Sequence, residues 1–229
     1  MNFILPDWPA PENVKSLITT RTGGVSLPPY QSLNLGSHVG DEPDHVLENR
    51  RRLLANLPGE PKWLNQVHGR KVVDLDNRTA FEGDGAYTRT PNVVCAVLTA
   101  DCLPVLFSGR HCVGAAHAGW RGLATGILEE TVREMGGAEI AYLGPAIGQD
   151  AFEVGEEVLD AFPEEKSAFR KDGKWHADLY AIARMKLGRI GIRRVYGGSY
   201  CTHKDASRFY SYRRDGKTGR MGAFIWLEE

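Results

Sequence analysis

Cysteine is scarce in this sequence: four residues in 229, at Cys95, Cys102, Cys112 and Cys201, with no Cys-x-x-Cys pair. A chain this long and this poor in cysteine is not a disulfide scaffold, and a reducing cytoplasm is the expected compartment. No apolar run approaches the roughly eighteen residues of a membrane helix. The opening MNFILPDWPAP has no basic stretch ahead of Phe3-Ile4-Leu5, so no secretory signal is expected either. Excess charge is also missing. A formal net charge of −1 argues against nucleic acid or an anionic membrane as the main partner. No repeat, low-complexity tract or Pro/Ser-rich linker divides the chain, so one domain over residues 1–229 is expected. A composition of 42% hydrophobic and 25% charged residues supplies it with a normal core.

Periodic apolar positions predict four helices. The first carries Val46, Leu47, Leu53, Leu54 and Leu57 after Asp41 and Pro43. The second runs from Leu123 to Met135 and stops at Gly136-Gly137. The third spans Val154 to Phe162, closed by Pro163. The fourth carries Leu179, Ile182, Ala183 and Ile190, with Asp178 as N-cap and Gly191 as the stop. Short β-branched or aromatic runs predict strands at 16–20, 62–67, 71–75, 93–98, 103–107, 112–116, 140–143, 194–196 and 222–227. Strands interleaved with helices give an α/β or α+β class. Several strands are separated by only a few residues, which implies antiparallel hairpins in the sheet.

The stretch TADCLPVLFSGRHCVGAAHAGWRG, residues 99–122, holds two apolar runs around Ser108-Gly109-Arg110-His111, a loop with turn composition. A hairpin that sets Phe107 opposite Cys112 also sets Cys102 opposite His117. Directly opposed residues share a face, with Cβ atoms roughly 4.5–5.5 Å apart. A thiolate beside an imidazole is a zinc-type donor pair. His68, in Asn65-Gln66-Val67-His68-Gly69 at the end of a predicted strand, offers a third ligand. His68, Cys102 and His117 would form a Cys/His₂ set with the fourth position open, as in catalytic zinc sites. His38 is a rival ligand, although a loop histidine held by a local hydrogen bond suits its setting equally. Cys95 and Cys112 read as small buried hydrophobes.

Two basic stretches complete the inventory. In TRTGGVS (Thr20–Ser26) the glycines and hydroxyls suit a backbone nest for an anion, with Arg21 adding a fixed charge. FYSYRRDGKTGR (Phe209–Arg220) sets Arg213, Arg214, Lys217 and Arg220 beside Tyr210 and Tyr212. It reads either as a solvated turn or as a wall that grips a phosphate and stacks on a base. Arg121, in His117-Ala118-Gly119-Trp120-Arg121-Gly122, leads into the second helix, whose positive end would favour an anion.

NQVHG, TADCLP, HAGWRG, GPAIG with FEVG, and CT…FYSYRRDGKTGR occur in this order over nearly the whole chain. In these motifs the chain resembles the YfiH-type laccase-domain family, once labelled multicopper polyphenol oxidases. The resemblance implies a compact α/β/β/α arrangement of mixed sheets. It implies zinc held by His68, Cys102 and His117. It also implies phosphorolysis of purine nucleosides (adenosine, inosine, guanosine and methylthioadenosine), with adenosine deamination as a second activity. The family's Asp-Ala-Asp-Ala-like segment is Glu82-Gly83-Asp84-Gly85-Ala86 here, with Asp84 as the firm match. Tyr210 stands where a phenylalanine is common.

Purine nucleosides and phosphate are therefore the expected partners, and Zn²⁺ the expected cofactor. Arg21 or Arg213 is expected to orient phosphate, and Asp84 or another carboxylate to protonate the departing purine. Arg121, Tyr212 and Arg214 are further candidates for binding substrate. Three other readings remain open. A Cu²⁺-dependent polyphenol oxidase would need histidines for several coppers, and the seven histidines include no His-x-His pair. A cytoplasmic factor in peptidoglycan editing would act without any peptidoglycan-binding repeat. A structural zinc protein would need a fourth ligand from His38 or Cys201.

Overall fold

The computed structural model describes residues 2–77 and 81–229. The chain builds a four-layer α/β/β/α domain around two stacked sheets, of which the six-stranded one is mixed and the four-stranded one antiparallel. One sheet has the order β1-β2-β13-β5 and comprises Phe3–Ile4 (β1), Val14–Thr19 (β2), Cys95–Thr99 (β5) and Met221–Leu227 (β13). The other has the order β12-β8-β6-β7-β4-β3. Its strands are Val72–Asp74 (β3), Gly85–Thr88 (β4), Leu103–Ser108 (β6), Val113–Ala118 (β7), Ile140–Leu143 (β8) and Val195–Gly197 (β12). The β3–β4 and β8–β12 pairs are parallel and the remaining pairs antiparallel. A small third sheet joins Glu153–Val154 (β9), Phe169–Asp172 (β10) and Lys174–Ala177 (β11).

Alternation along the strands sorts the core into three apolar layers. On β13, Ala223, Ile225 and Leu227 point into the space between the sheets and meet Leu106, Ala115 and Tyr142 of the second sheet. Phe224 and Trp226, one position out of phase, face the other way. They pack with Leu17, Leu33 and Leu53 under the helix Pro43–Leu54 (α1). The far face of the second sheet presents Leu103, Val105 and Phe107 to Leu123, Ile127, Leu128 and Ile182 of the outer helices. Those helices are Trp120–Thr125 (α2), Ile127–Met135 (α3) and Leu179–Arg189, which becomes α5 after Glu156–Asp160 (α4). Among the described residues no helix is long and apolar enough to cross a membrane.

Local expectations are met unevenly. Asp178 caps α5, its side chain accepting the Ala181 N–H at 3.0 Å. The expected second helix is two: Gly126, at φ 94°, ends α2 by donating its N–H to the Gly122 and Leu123 carbonyls, and α3 restarts beyond it. Left-handed glycine is a strong helix stop. The third helix is only the five residues of α4. Residues 62–67 are not a strand. They touch their neighbours through isolated bridges, Lys62 to Cys95 and Asn65 to Glu82.

The hairpin of β6 and β7 forms in a different register. Ser108 faces Val113, Leu103 faces Ala118, and Pro104, not Cys102, faces His117. The turn is Gly109–Cys112, closed by the Gly109 N–H on the Cys112 carbonyl at 2.9 Å. β6 therefore runs one residue further than expected before turning, and every partner moves by two. An even shift leaves each side chain on its face. Cys102, just ahead of β6, stays on the same side as His117 but lies diagonal to it.

Candidate metal centre

Three chain segments converge at the open end of this hairpin. His117 comes from β7, Cys102 from the bend before β6, and His68 from the loop after the bridged segment. Their ligand atoms, two imidazole nitrogens and one thiol sulfur, all lie within 4.8 Å of one another. Both bends are in unusual conformations. His68 has φ 60° and Asp101, beside Cys102, has φ 95°. A non-glycine residue holds such a conformation only where its surroundings fix it, and both surroundings are visible.

Asp84 fixes His68. Its carboxylate has no solvent exposure and accepts the backbone N–H groups of Val67 (3.1 Å), His68 (2.9 Å) and Gly69 (2.7 Å). The same carboxylate lies 2.8 Å from His117 Nδ1. That partner places the proton on Nδ1 and leaves Nε2 as the free donor atom, the usual outer-shell arrangement of a metal-binding histidine. Burial pushes the Asp84 carboxyl up, but the His117 hydrogen bond and the amide donors outweigh it and hold it below its ordinary value. Asp101 fixes Cys102. Its buried carboxylate accepts the Thr202 hydroxyl (2.6 Å), the Ser211 hydroxyl (3.0 Å) and the Arg213 N–H (2.7 Å).

The ligands also tune one another. Burial pushes the Cys102 thiol up, yet the His117 charge and hydrogen bonds from both imidazoles bring it down to about 6. Burial pushes His117 down, yet the Cys102 thiolate and Asp84 raise it to about 9. The metal-free pocket thus favours a thiolate–imidazolium pair. The donor set fits a divalent, borderline-soft ion: one thiolate, two imidazoles and an outer carboxylate. Gly119 closes the pocket against the sulfur, since a Cβ there would sit 2.9 Å from Cys102 Sγ and 3.4 Å from His68 Cδ2.

Two cavities meet at this triad, sharing His68, Ala100, Cys102 and Tyr212. The first, of about 280 Å³, is walled by Trp120, Ile147, Phe152 and Leu179, with Arg121 and Arg213 also lining it. The second, of about 370 Å³, is walled by His38, Gln66, Thr99, His117 and Arg220. Tyr212 is 61% exposed and stands between them.

The structure thus brings His68, Cys102, His117, Arg121, Tyr212 and Arg213 to one site, with Asp84 directly behind it. It does not bring Arg21 or Arg214 there. Arg21 donates to the Gln31 and Ala206 carbonyls and lies over the Tyr210 ring. Arg214 is spent on the carbonyls of Thr202, His203 and Phe209 and on Asp215. Tyr210 is fully buried and donates to the Tyr30 carbonyl, so its hydroxyl faces neither cavity. Glu82 lies outward, 3.8 Å from Lys71. Neither fourth ligand joins the triad. His38 only lines the second cavity, and Cys201 Sγ accepts the Gly148 N–H at 3.2 Å beside a different hollow. The helix behind Trp120 is six residues long, so its positive end is weaker than a long helix would supply. Arg220, one of the cations of the Phe209–Arg220 stretch, lines the second cavity, while Asp101 and Gln66 were not among the expected site residues. The signal for Asp101 was its place next to Cys102.

Residues 15–228 match a family model described as multi-copper polyphenol oxidoreductase laccase. The chain belongs to this family. It is 52% identical to the purine nucleoside phosphorylase YfiH of Escherichia coli, with 98% of each chain covered. It is 51% identical to a purine nucleoside phosphorylase of Pseudomonas aeruginosa, with 99% of each covered. Among solved structures, that of a Neisseria meningitidis protein is similar at TM-score 0.94 and 52% identity, with both chains fully covered. That of YlmD from Geobacillus stearothermophilus is similar at TM-score 0.92 and 34% identity, covering 100% of this chain and 97% of the other. The laccase wording in the family's description and the phosphorylase wording in the relatives' names point to different chemistries, and the site has to decide between them.

Proposed function

We propose that this laccase-family chain is a cytoplasmic, zinc-dependent purine nucleoside phosphorylase acting on adenosine, inosine, guanosine and methylthioadenosine, with adenosine deamination as a second activity. The observation that carries the reading is the meeting of two chemically unlike cavities at one metal-binding triad. A reaction between a purine nucleoside and phosphate needs such a pair of compartments. The relatives' names support the same choice. Among the described residues the structure offers one cluster able to hold a metal ion, with three ligands. That suits a mononuclear zinc better than several coppers. The four cysteines are all free, in keeping with a reducing compartment.

His68, Cys102 and His117 would hold the ion, which would supply a Lewis acid at this site. The apolar cavity takes the nucleoside. Phe152 and Tyr212 flank the purine, and Arg213 and Arg121 line the same cavity. A phosphate oxygen forms the new bond to the ribosyl C1′ as the C1′–N9 bond breaks. The electron pair leaves with the purine, which takes up a proton, giving ribose 1-phosphate and free base. We give Asp84 the work of positioning rather than of protonating the purine. Both its oxygens are committed to His117 and three amides, and it is held ionised. The test is product analysis with inosine. Hypoxanthine and ribose 1-phosphate should form only when phosphate is present. Free ribose formed at equal rate without phosphate would contradict the proposal.

A further inference from the structure

Phosphorolysis leaves open which cavity admits the phosphate, and the two linings differ enough to decide it. In the first cavity the cations are stacked on aromatic rings. The Arg213 guanidinium lies 5.3 Å from the Phe152 ring and donates to the Glu153 carbonyl, while Arg121 lies 4.2 Å over Trp120. Asp101 lines that cavity as well, and Ile147, Phe152 and Leu179 make the rest of its wall largely apolar. In the second cavity Arg220 also faces a ring, 6.0 Å from that of Tyr212, but it is fixed in addition through both its backbone and its guanidinium. One guanidinium nitrogen donates to the Thr218 and Gly219 carbonyls, each at 3.0 Å, and its backbone N–H donates to Asn34. Its stem fills the space beside Gly36, where a Cβ would sit 2.8 Å from Arg220 Cγ.

Arg121, Arg213 and Arg220 are alike in forming no ion pair among the described residues, but Arg121 and Arg213 are exposed whereas Arg220 is half-buried. A fixed guanidinium without an acidic partner, with donor nitrogens left over, is a site for an oxyanion. His38 lines the same cavity and adds a ring nitrogen. Gln66 cannot compete for the anion. Its amide is committed at both ends to the Leu98 backbone, accepting at 2.7 Å and donating at 2.9 Å.

We propose that the cavity between Arg220 and His38 is the subsite for inorganic phosphate, with the nucleoside on the opposite side of the metal triad. The proposal rests on the phosphorylase reading and assigns its two substrates. The ribosyl carbon then sits at the junction by Tyr212, with attacking phosphate and departing purine on opposite sides of it. That is the geometry a displacement requires. Arg21 and Arg214, tied down elsewhere, have no part in it.

The variants are Arg220→Lys, which keeps the charge and loses the fork, and His38→Asn at an exposed position. Zinc-loaded proteins are assayed with inosine and phosphate varied independently. The KM for phosphate should rise by about tenfold or more, the size of one charge-assisted hydrogen bond, while the KM for inosine moves less than about twofold. A rise confined to the inosine KM, or no change in either, overturns the assignment. Titration of inorganic phosphate by calorimetry separates this outcome from failure of the phosphorylase reading. If the wild-type protein binds phosphate and both variants bind it weakly, the subsite stands even where no nucleoside is cleaved. If wild type binds no phosphate, or the variants bind it as well as wild type does, the subsite falls.

Discussion

His117 Nδ1 lies 2.8 Å from the Asp84 carboxylate that also holds the amide of His68. One buried side chain therefore sets the tautomer of His117 and the left-handed backbone of His68. Asp84→Ala would leave three amide donors without their acceptor at once. Each such loss costs about 1–3 kcal/mol, so we expect a destabilisation of at least about 3 kcal/mol in chemical denaturation and loss of metal binding. The folded pKa of Asp84 lies below the ordinary aspartate value of 3.8. Its contribution is therefore present above that value and lost as pH falls through the folded pKa. Acid unfolding of Asp84→Asn should lack this component.

Metal uptake should release a proton. The metal-free triad holds Cys102 at about 6 and His117 at about 9, a thiolate beside an imidazolium. An ion needs the thiolate and a neutral imidazole. Between those two values it displaces about one proton, and affinity rises about tenfold per pH unit. Above the His117 value the gain flattens. Calorimetry of zinc binding in buffers of different ionisation enthalpy measures the count. A count of zero at neutral pH would contradict the ion pair.

Gly119→Ala tests the fit around the sulfur. Gly119 has φ −66° and ψ 165°, a conformation any residue adopts, so alanine brings no backbone strain. Its Cβ would nonetheless meet Cys102 Sγ at 2.9 Å. The expected result is an unchanged denaturation midpoint with zinc affinity reduced by about tenfold or more, since ligands displaced by a few tenths of an ångström lose their common centre.

Tyr212→Ala separates binding from folding. The ring is exposed and stands at both cavities. Removing it should leave stability within about 0.5 kcal/mol. Loss of base stacking, about 1–3 kcal/mol, should raise the nucleoside KM by roughly tenfold. Steady-state kinetics with inosine checks this.

The sequence reading and the structure agree where alternation or capping is strong. β13 reads as a strand because Ala223, Ile225 and Leu227 alternate with Phe224 and Trp226, and Asp178 announces α5. They part where one residue's conformation decides. Gly126 splits a helix that periodicity alone would continue. A turn shifted to Gly109–Cys112 changes every partner of β6. Segment 62–67 has the composition of a strand but finds no continuous edge to pair with. The convergence of Cys102 and His117 was legible because an even register shift leaves faces unchanged. The arginines were not legible. Arg21, Arg213, Arg214 and Arg220 look alike in sequence, and only the carbonyls and carboxylates around each one show which is spent and which faces a cavity.

A metal at His68, Cys102 and His117 and the cleavage of nucleoside are expected to belong to one site. The most direct measurement removes metal with a chelator and then titrates zinc back while following hypoxanthine release from inosine in phosphate. Activity should climb linearly and stop at one zinc per chain, and Cys102→Ala should stay flat throughout. Full turnover by metal-free Cys102→Ala, or several coppers per chain accompanied by phenol oxidation, would contradict it.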